Sequence, residues 1–381
     1  MNFELTEEQR AIKSEIARFA GEQLNEELIR RDRDGEFSRA AWTKCAEVGI
    51  QGLPFPAEYG GAGADVLTTT LAMEGLGYGC RDNGLIFAMN AQMWSVQMPI
   101  LEFGTDRQKS EFLAPLCRGE WIGAHGMTEP DSGSDAFSLQ SRARRDGDRY
   151  ILDGRKMFVS NAPMADLFLV FARTDRAKGF MGISAFLVRR DTPGLSIQAD
   201  IAKMGLRTAP MAEVVMQDCA VPATQRLGPE GAGSRLFNSS MEWERAVLLA
   251  AYLGAMERQL ETSVRYARQR KQFKRPIGRF QSVANKLVDM RVRLETARLL
   301  IYKVAWLKQT GAGFPLEAAM AKLYLSECWV KNGLDAIQIH GGYGYTTEFE
   351  VERELRDAIS STIYSGTSEI QRNIIAFNMK L

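Results

Sequence analysis

Histidine is nearly absent: His125 and His340 are the only two in 381 residues. Zinc sites built on imidazoles are therefore disfavoured, and a Ser-His-Asp triad has few ways to form. No sign of charge dominates, since 48 lysines and arginines face 47 acids for a net +1. That balance gives no footing for nucleic acid or an anionic membrane as partner. The five cysteines, Cys45, Cys80, Cys117, Cys219 and Cys328, are scattered without paired spacing, which suits a reducing compartment. There is no apolar signal core, no basic acid-poor leader and no run long and apolar enough to span a bilayer. A cytoplasmic protein is expected. Internal repeats and low-complexity tracts are also missing.

What is present is a chain with 45% hydrophobic residues, enough for sizeable cores and two or three domains. Residues 1–119 read as helical, with an amphipathic segment from Phe3 to Phe19. Thr6 and Gln9 there form a capping box before Ile12, Ile16 and Phe19. Leu67–Tyr78 and Asp106–Leu116 are further helices. In residues 120–228 short β-branched and aromatic runs alternate with turn signals: Tyr150–Leu152, Leu167–Ala172, Ile183–Val188 and Glu213–Met216. This spacing predicts a small antiparallel sandwich or barrel. Residues 229–381 return to helical periodicity, with long segments at Leu236–Arg268, Phe280–Thr310 and Leu316–Ile339. The class is thus α+β, and a helix–sheet–helix order without βαβ alternation argues against a Rossmann core.

Glu244 stands out among the polar residues. At helical spacing its neighbours are Phe237, Ser240, Met241, Val247, Leu248 and Ala251, all apolar or small except the serine. A carboxylate on such a stripe loses hydration, its pKa rises, and it becomes a candidate general base near neutral pH. The competing reading is a buried ion pair, with Arg245 or another arginine. Other segments carry possible binding chemistry. Met127–Asp135 is a polar loop whose hydroxyls, including Thr128 and Ser134, and free amides suit a polar ligand edge, although such loops are usually ordinary turns. Lys156–Asn161 ends a strand with Phe158 and Ser160, and an aromatic there is normally core. Arg268–Phe280 sets Arg270 and five other cations around Phe273, fitting a pyrophosphate or simply a solvated loop. Gln338–Tyr345 follows a helix, and its glycines Gly341 and Gly342 either admit a ligand or cap the helix. Tyr364–Arg372 is a tight turn into a final helix.

Taken in order, these segments resemble the acyl-CoA dehydrogenase family of flavoproteins over nearly the whole chain. The specific match is Thr-Glu-Pro-x-x-Gly-Ser-Asp at 128–135. It is joined by 156–161, Lys203–Arg207, Gln272-Phe273 with Pro276-Ile277 and Phe280-Gln281, 338–342, and Gly366-Thr367-Ser368. The resemblance implies an N-terminal helical domain, a middle antiparallel β-domain and a C-terminal four-helix bundle, with FAD between the last two. It assigns Met127, Thr128, Ser134, Phe158 and Ser160 to the flavin side, with Thr367 and Glu369 also near FAD. Arg270, Phe273 and Gln281 would reach the FAD of a neighbouring subunit, and Gln338, Gly341 and Gly342 its adenosine diphosphate. A shared cofactor implies a homodimer or homotetramer. The implied activity is α,β-dehydrogenation of an acyl thioester, a carboxylate taking the α-proton while hydride passes to the flavin. Electron-transfer flavoprotein or oxygen would be the acceptor.

The chain departs from the commonest family pattern at Ser365. Many members carry their base directly before the Gly-Thr pair, and a serine hydroxyl is too weak for that task without an activating partner. The long-chain and isovaleryl branches place the base before an arginine on the first long C-terminal helix, which here is Glu244 before Arg245. Arg245, Ser134 and Ser365 are then expected around the substrate, Ser365 offering its backbone N–H to the thioester carbonyl. Segments 81–85, 161–166 and 365–367 are similar to those of prolyl-carrier-protein dehydrogenases of natural-product pathways, so the acyl group would ride on CoA or on a phosphopantetheinyl carrier protein. Two alternatives remain: a flavin oxidase or monooxygenase on the same fold, and a non-catalytic FAD-binding protein. Neither histidine is expected to be catalytic. His125 reads as structural, and His340 as a surface or cofactor-edge residue.

Overall fold

The computed structural model describes residues 4–381, so Phe3 of the first amphipathic segment lies outside the described residues. The first helix, α1 (Glu7–Gln23), opens on the expected capping box: Thr6 Oγ1 accepts from Gln9 N, and Gln9 Oε1 accepts from Thr6 N, both at 3.1 Å. It is followed by α2 (Leu28–Asp34), α3 (Arg39–Glu47), α4 (Val66–Gly79) and α5 (Asn83–Gln92). The latter runs through a π turn, Met93–Gln97, into α6 (Met98–Phe103), and α7 (Asp106–Cys117) ends the helical part.

A sheet of eight strands comes next: β1 (Gly123–Gly126), β2 (Arg142–Asp146), β3 (Arg149–Ser160), β4 (Leu167–Arg173), β5 (Ile183–Arg189), β6 (Leu195–Asp200), β7 (Met211–Pro222) and β8 (Arg226–Leu227). Their order is β6-β7-β3-β2-β4-β5-β8, with β1 beside β4. Pairing is antiparallel except at β4, which takes β1 in parallel and touches β2 in parallel at Arg142 and Arg173. The domain is otherwise antiparallel as expected, and these two pairings at β4 are its exceptions. The strands β4 and β5 are buried on both faces from end to end, which is why they read as unbroken apolar runs rather than as alternation.

The C-terminal part contains α8 (Gly233–Glu244), α9 (Val247–Gln269), a small hairpin of β9 (Lys271–Gln272) and β10 (Arg275–Pro276), then α10 (Gln281–Gln309), α11 (Pro315–His340), α12 (Val351–Ser360) and α13 (Ser368–Asn378). Helices α9, α10 and α11 pack on one another, and α12 and α13 lie against α11. One helix was expected over Leu236–Arg268. Two are found, because the ladder breaks after Glu244, where Ala246 takes φ −121° and ψ −78°. No glycine or proline marks that break, so local sequence gives no warning of it.

Helix α9 crosses α4 with backbones nearly touching. A Cβ on Gly77 would sit 1.7 Å from the Ala251 carbonyl oxygen, and one on Gly254 would sit 2.1 Å from that of Glu74. Only glycine permits this approach, which fixes the N-terminal helices against the C-terminal ones.

Candidate active site

Glu244 is the last residue of α8 and is 8% exposed. The ion-pair reading fails, because serine hydroxyls hold both carboxylate oxygens. Ser95 Oγ donates to Oε1 and Ser365 Oγ donates to Oε2. The following residue, Arg245, instead donates Nε to the Ser365 carbonyl oxygen at 3.2 Å. Burial raises the Glu244 pKa, opposed by the two hydroxyls and by the nearby Arg245 charge. The sequence reading therefore had the right sign and the right cause for this carboxylate.

Ser95 was not anticipated from the sequence. It sits inside the π turn, where the extra residue turns its hydroxyl toward α8. The turn is braced from both sides: Trp94 stacks on Trp243 of α8 at 5.4 Å, and Trp94 Nε1 donates to Asn90 Oδ1 at 2.6 Å. The available signal was a lone serine in the mostly apolar run Met93–Met98, a weak one. From Asp82 to Ile100 only Phe87 and Ala91 retain exposure, one helical turn apart and in line with Ser95. The Phe87 ring of this stripe meets Tyr364 at a centroid distance of 4.8 Å.

Ser365 lies in the turn before α13. Its φ is +54°, uncommon for a residue with a side chain, and Gly366 follows at +88°. Gln371 Nε2 fixes the turn by donating to the carbonyls of Ser365 at 3.1 Å and Gly366 at 2.9 Å. Among the described residues no backbone acceptor takes the Ser365 N–H. Thr367 caps α13 by accepting from Ile370 N at 3.3 Å, while Glu369 is exposed in the first turn.

The β-domain residues gather at one sheet end. Met157 N donates to the Thr128 carbonyl at 2.8 Å, which ties the 127–135 loop to a bulge of β3 between Lys156 and Val159. Phe158 lies in that bulge with φ +57° and is 56% exposed. It is not core, contrary to the usual fate of an aromatic at a strand end. Thr128 and Ser160 flank it half-buried, and Ser134 is exposed. The Met127 side chain is core, and its carbonyl accepts from Lys156 Nζ at 3.3 Å. Glu129 pairs with the buried Lys156 at 2.7 Å, and burial pulls that lysine down to about 8. The acid of the loop motif is thus a brace. Asn161 Nδ2, donating to the Ala88 and Gly123 carbonyls at 2.9 and 3.1 Å, anchors this end against α5.

A second group forms elsewhere on the chain. Arg270 lies over Tyr343 at 5.6 Å, and with His340, Gly341 and Gly342 these residues line an open groove of 480 Å³. Phe273 and Lys274 form the hairpin tip at φ +50° and +66°, and Phe273 is 88% exposed. Gln281 begins α10, and Gln338 is exposed on α11. Among the described residues no hydrogen bond, ion pair or ring contact joins this group to Glu244. His340 is 3% exposed, stacked on Tyr266 at 4.2 Å, so its surface placement is corrected while its place at the groove edge holds. His125 is packed between Phe171 and Phe237 with Nε2 buried and without a partner, and burial lowers its pKa to about 4.

The donor set fits a large, flat, polar-edged cofactor. Phe158 and Phe273 hold aromatic faces to solvent in backbone conformations that cost energy, and burying them against a ring system would recover both. A cleft of 730 Å³ opens alongside α8, lined by Glu102, Phe103, Phe137, Phe180, Arg235 and Glu242 among others. No group of three or more His, Cys, Asp or Glu residues that could hold a metal ion, and no helix long and apolar enough to cross a membrane, occurs among the described residues.

The chain is similar to known proteins along its whole length. Family models match residues 6–120 (Acyl-CoA dehydrogenase, N-terminal domain), 124–219 (middle domain) and 231–380 (C-terminal domain). An L-prolyl-[peptidyl-carrier protein] dehydrogenase of Pseudomonas fluorescens is 43% identical over the full length of both chains. The crystal structure of the prolyl acyl carrier protein oxidase AnaB superposes with a TM-score of 0.98 at 53% identity, covering 99% of this chain and 100% of that one. A structure of PigA with FAD and proline gives 0.98 at 40% identity, with full coverage of both.

Proposed function

The chain belongs to the acyl-CoA dehydrogenase family, as an FAD-dependent acyl dehydrogenase, and we propose that it oxidises a prolyl-type acyl group borne as a thioester on a phosphopantetheinyl carrier protein. Glu244 is the base in this reading. The observation that carries it is a buried acid whose oxygens meet hydroxyls rather than a cation. An acid built for structure would be neutralised by a positive partner, whereas one built to accept a proton must stay unpaired.

Glu244 takes the proton from the α-carbon, leaving the electron pair to form the new double bond. The Ser365 N–H, unclaimed by the backbone, donates to the thioester carbonyl and stabilises the charge that develops there. Arg245 and Gln371 hold the turn at Ser365 in its positive-φ geometry through the Ser365 carbonyl. When bound, FAD supplies the acceptor for the hydride leaving the β-carbon. Thr128, Phe158 and Ser160 form its flavin side, and Thr367 and Glu369 lie beside it. Arg270, Phe273, Gln281, Gln338, Gly341 and Gly342 serve the cofactor of a neighbouring subunit. That sharing explains why these two groups stand apart in one chain, and it makes the working form a homodimer or homotetramer. An apolar stripe on α10, Val288, Val292, Leu299 and Trp306, each more than half exposed, is a further surface for a second copy. The cleft alongside α8 takes the phosphopantetheine arm, and Ser134 serves the substrate.

The prolyl and carrier assignments rest on the named relatives and on the 81–85, 161–166 and 365–367 segments. The test is anaerobic bleaching of the flavin band with L-prolyl and butyryl groups, each presented on a carrier protein and on CoA. Bleaching by L-prolyl-carrier protein is expected. Bleaching by CoA esters alone removes the carrier assignment. AnaB being an oxidase favours oxygen over electron-transfer flavoprotein as the acceptor. Stoichiometric peroxide during turnover in air would establish that, and its absence would favour the flavoprotein.

A further inference from the structure

Ser365 stands where many relatives place their base, and Ser95 stands on a π turn. Neither hydroxyl has the basicity to act on a C–H bond, yet together they occupy both oxygens of the one carboxylate that does. Their surroundings differ. Ser95 is 3% exposed, in a turn locked by the Trp94–Trp243 stack. Ser365 is half-buried, in a turn held at positive φ. The two hydroxyls take two of the roughly four lone-pair sites of the carboxylate, and the substrate α-carbon must approach from the less buried side, where the Ser365 hydroxyl stands.

We propose that Ser95 and Ser365 are positioning residues with unequal roles: Ser95 fixes the Glu244 rotamer throughout the cycle, whereas the Ser365 hydroxyl caps the free enzyme and is exchanged for the substrate α-carbon when the thioester enters. The serine that replaces an acid in this chain is then the partner of the relocated base. This rests on Glu244 being the base.

The electrostatic setting makes the two roles separable. Burial raises the Glu244 pKa from 4.5, and the hydroxyls and Arg245 oppose that rise. The other titratable groups nearby are the Tyr364 phenol, which burial pushes far above its usual range, and Lys322 beyond Arg245, buried without a partner and lowered to about 7. Activity requires ionised Glu244, so it is lost as pH falls through the raised value, and removing a donor moves that loss to higher pH. The profile of kcat/KM reports the free enzyme and that of kcat reports the loaded enzyme.

The experiment compares Ser95→Ala and Ser365→Ala holoenzymes with wild type, using L-prolyl-carrier protein across pH 5–9, with flavin content confirming the fold. Ser95→Ala is expected to move the acid limb of both kcat and kcat/KM up by about one pH unit, roughly a tenfold loss below the limb. Ser365→Ala is expected to move the kcat/KM limb alone. Equal movement of both limbs in both variants, or of neither limb in either, overturns the unequal roles. Glu244→Gln run in parallel separates the two levels. If it retains turnover, the base assignment falls. If it is inactive and the serine variants keep wild-type limbs, only the clamp falls. Should Ser95→Ala lose flavin, Ser95→Cys, a weaker donor of similar size, carries the same comparison.

Discussion

Replacing Glu244 by glutamine removes the proton acceptor and almost nothing else. The side chain keeps its length, the amide oxygen still accepts from one serine, and the other hydroxyl rotates to accept from the amide N–H. A carboxylate 8% exposed and with a raised pKa costs folding free energy when ionised at neutral pH. The sign follows from linkage. The folded protein binds this proton more readily than the unfolded chain, so the cost is present above the folded pKa and fades as pH falls. A neutral amide avoids that cost, and Glu244→Gln is expected to hold or raise the Tm at pH 7.5. Loss of a positioned general base is worth about 10²- to 10⁴-fold in rate, or about 3–5.5 kcal/mol of barrier. The assay is single-turnover flavin reduction under anaerobic conditions, paired with differential scanning fluorimetry and flavin absorbance on the same sample. Slow reduction with intact flavin and an undiminished Tm supports a catalytic acid. Near-normal reduction, or a rate loss that tracks lost flavin and a lower Tm, would refute the reasoning.

Phe87→Ala is expected to open space where Phe87 meets Tyr364, improving kcat/KM for hexanoyl over butyryl thioesters by about tenfold or more; an unchanged ratio would show that Phe87 does not bound the acyl group. Phe273→Ala should lower flavin content and shift gel-filtration elution toward smaller species, since an aromatic 88% exposed at positive φ is proposed to meet a neighbouring subunit's cofactor; full flavin content would count against that. Gly254→Ala should cost about 2–3 kcal/mol of stability or more, because the new Cβ falls 2.1 Å from the Glu74 carbonyl, and an unaltered denaturation midpoint would show that α4 and α9 can part cheaply.

Legibility in the sequence followed the range of the forces involved. Local rules found the capping box at Thr6, most long helices and the doubly buried strands, because each depends on neighbours within a few residues. The stripe around Glu244 predicted its burial and the direction of its pKa for the same reason. The break after Glu244 was invisible, since Arg245 and Ala246 are ordinary helix formers and the break answers to packing. Ser95 was invisible too: it meets Glu244 across 149 residues of chain, and a π turn has no simple composition. Phe158 misled local reasoning because it is held exposed at a bulge, where the usual rule for strand aromatics does not apply. His340 misled it because a charged-looking ring can be stacked and buried at a groove edge.

The π turn at Met93–Gln97 makes the site sensitive to chain length as well as to residue type. Such a turn is an α-helix carrying one residue more than its ladder needs. Deleting any one residue of the five would let the ladder close as an ordinary helix. The two sides of the turn would then rotate by about 100° relative to each other. If α5 stayed docked, Phe87 and Ala91 would keep their places while the residues beyond lost their register with α8. A relative that lost this single codon would carry every catalytic residue type and still leave Glu244 without the hydroxyl behind it, so family alignments around this base should be read for insertions as closely as for substitutions.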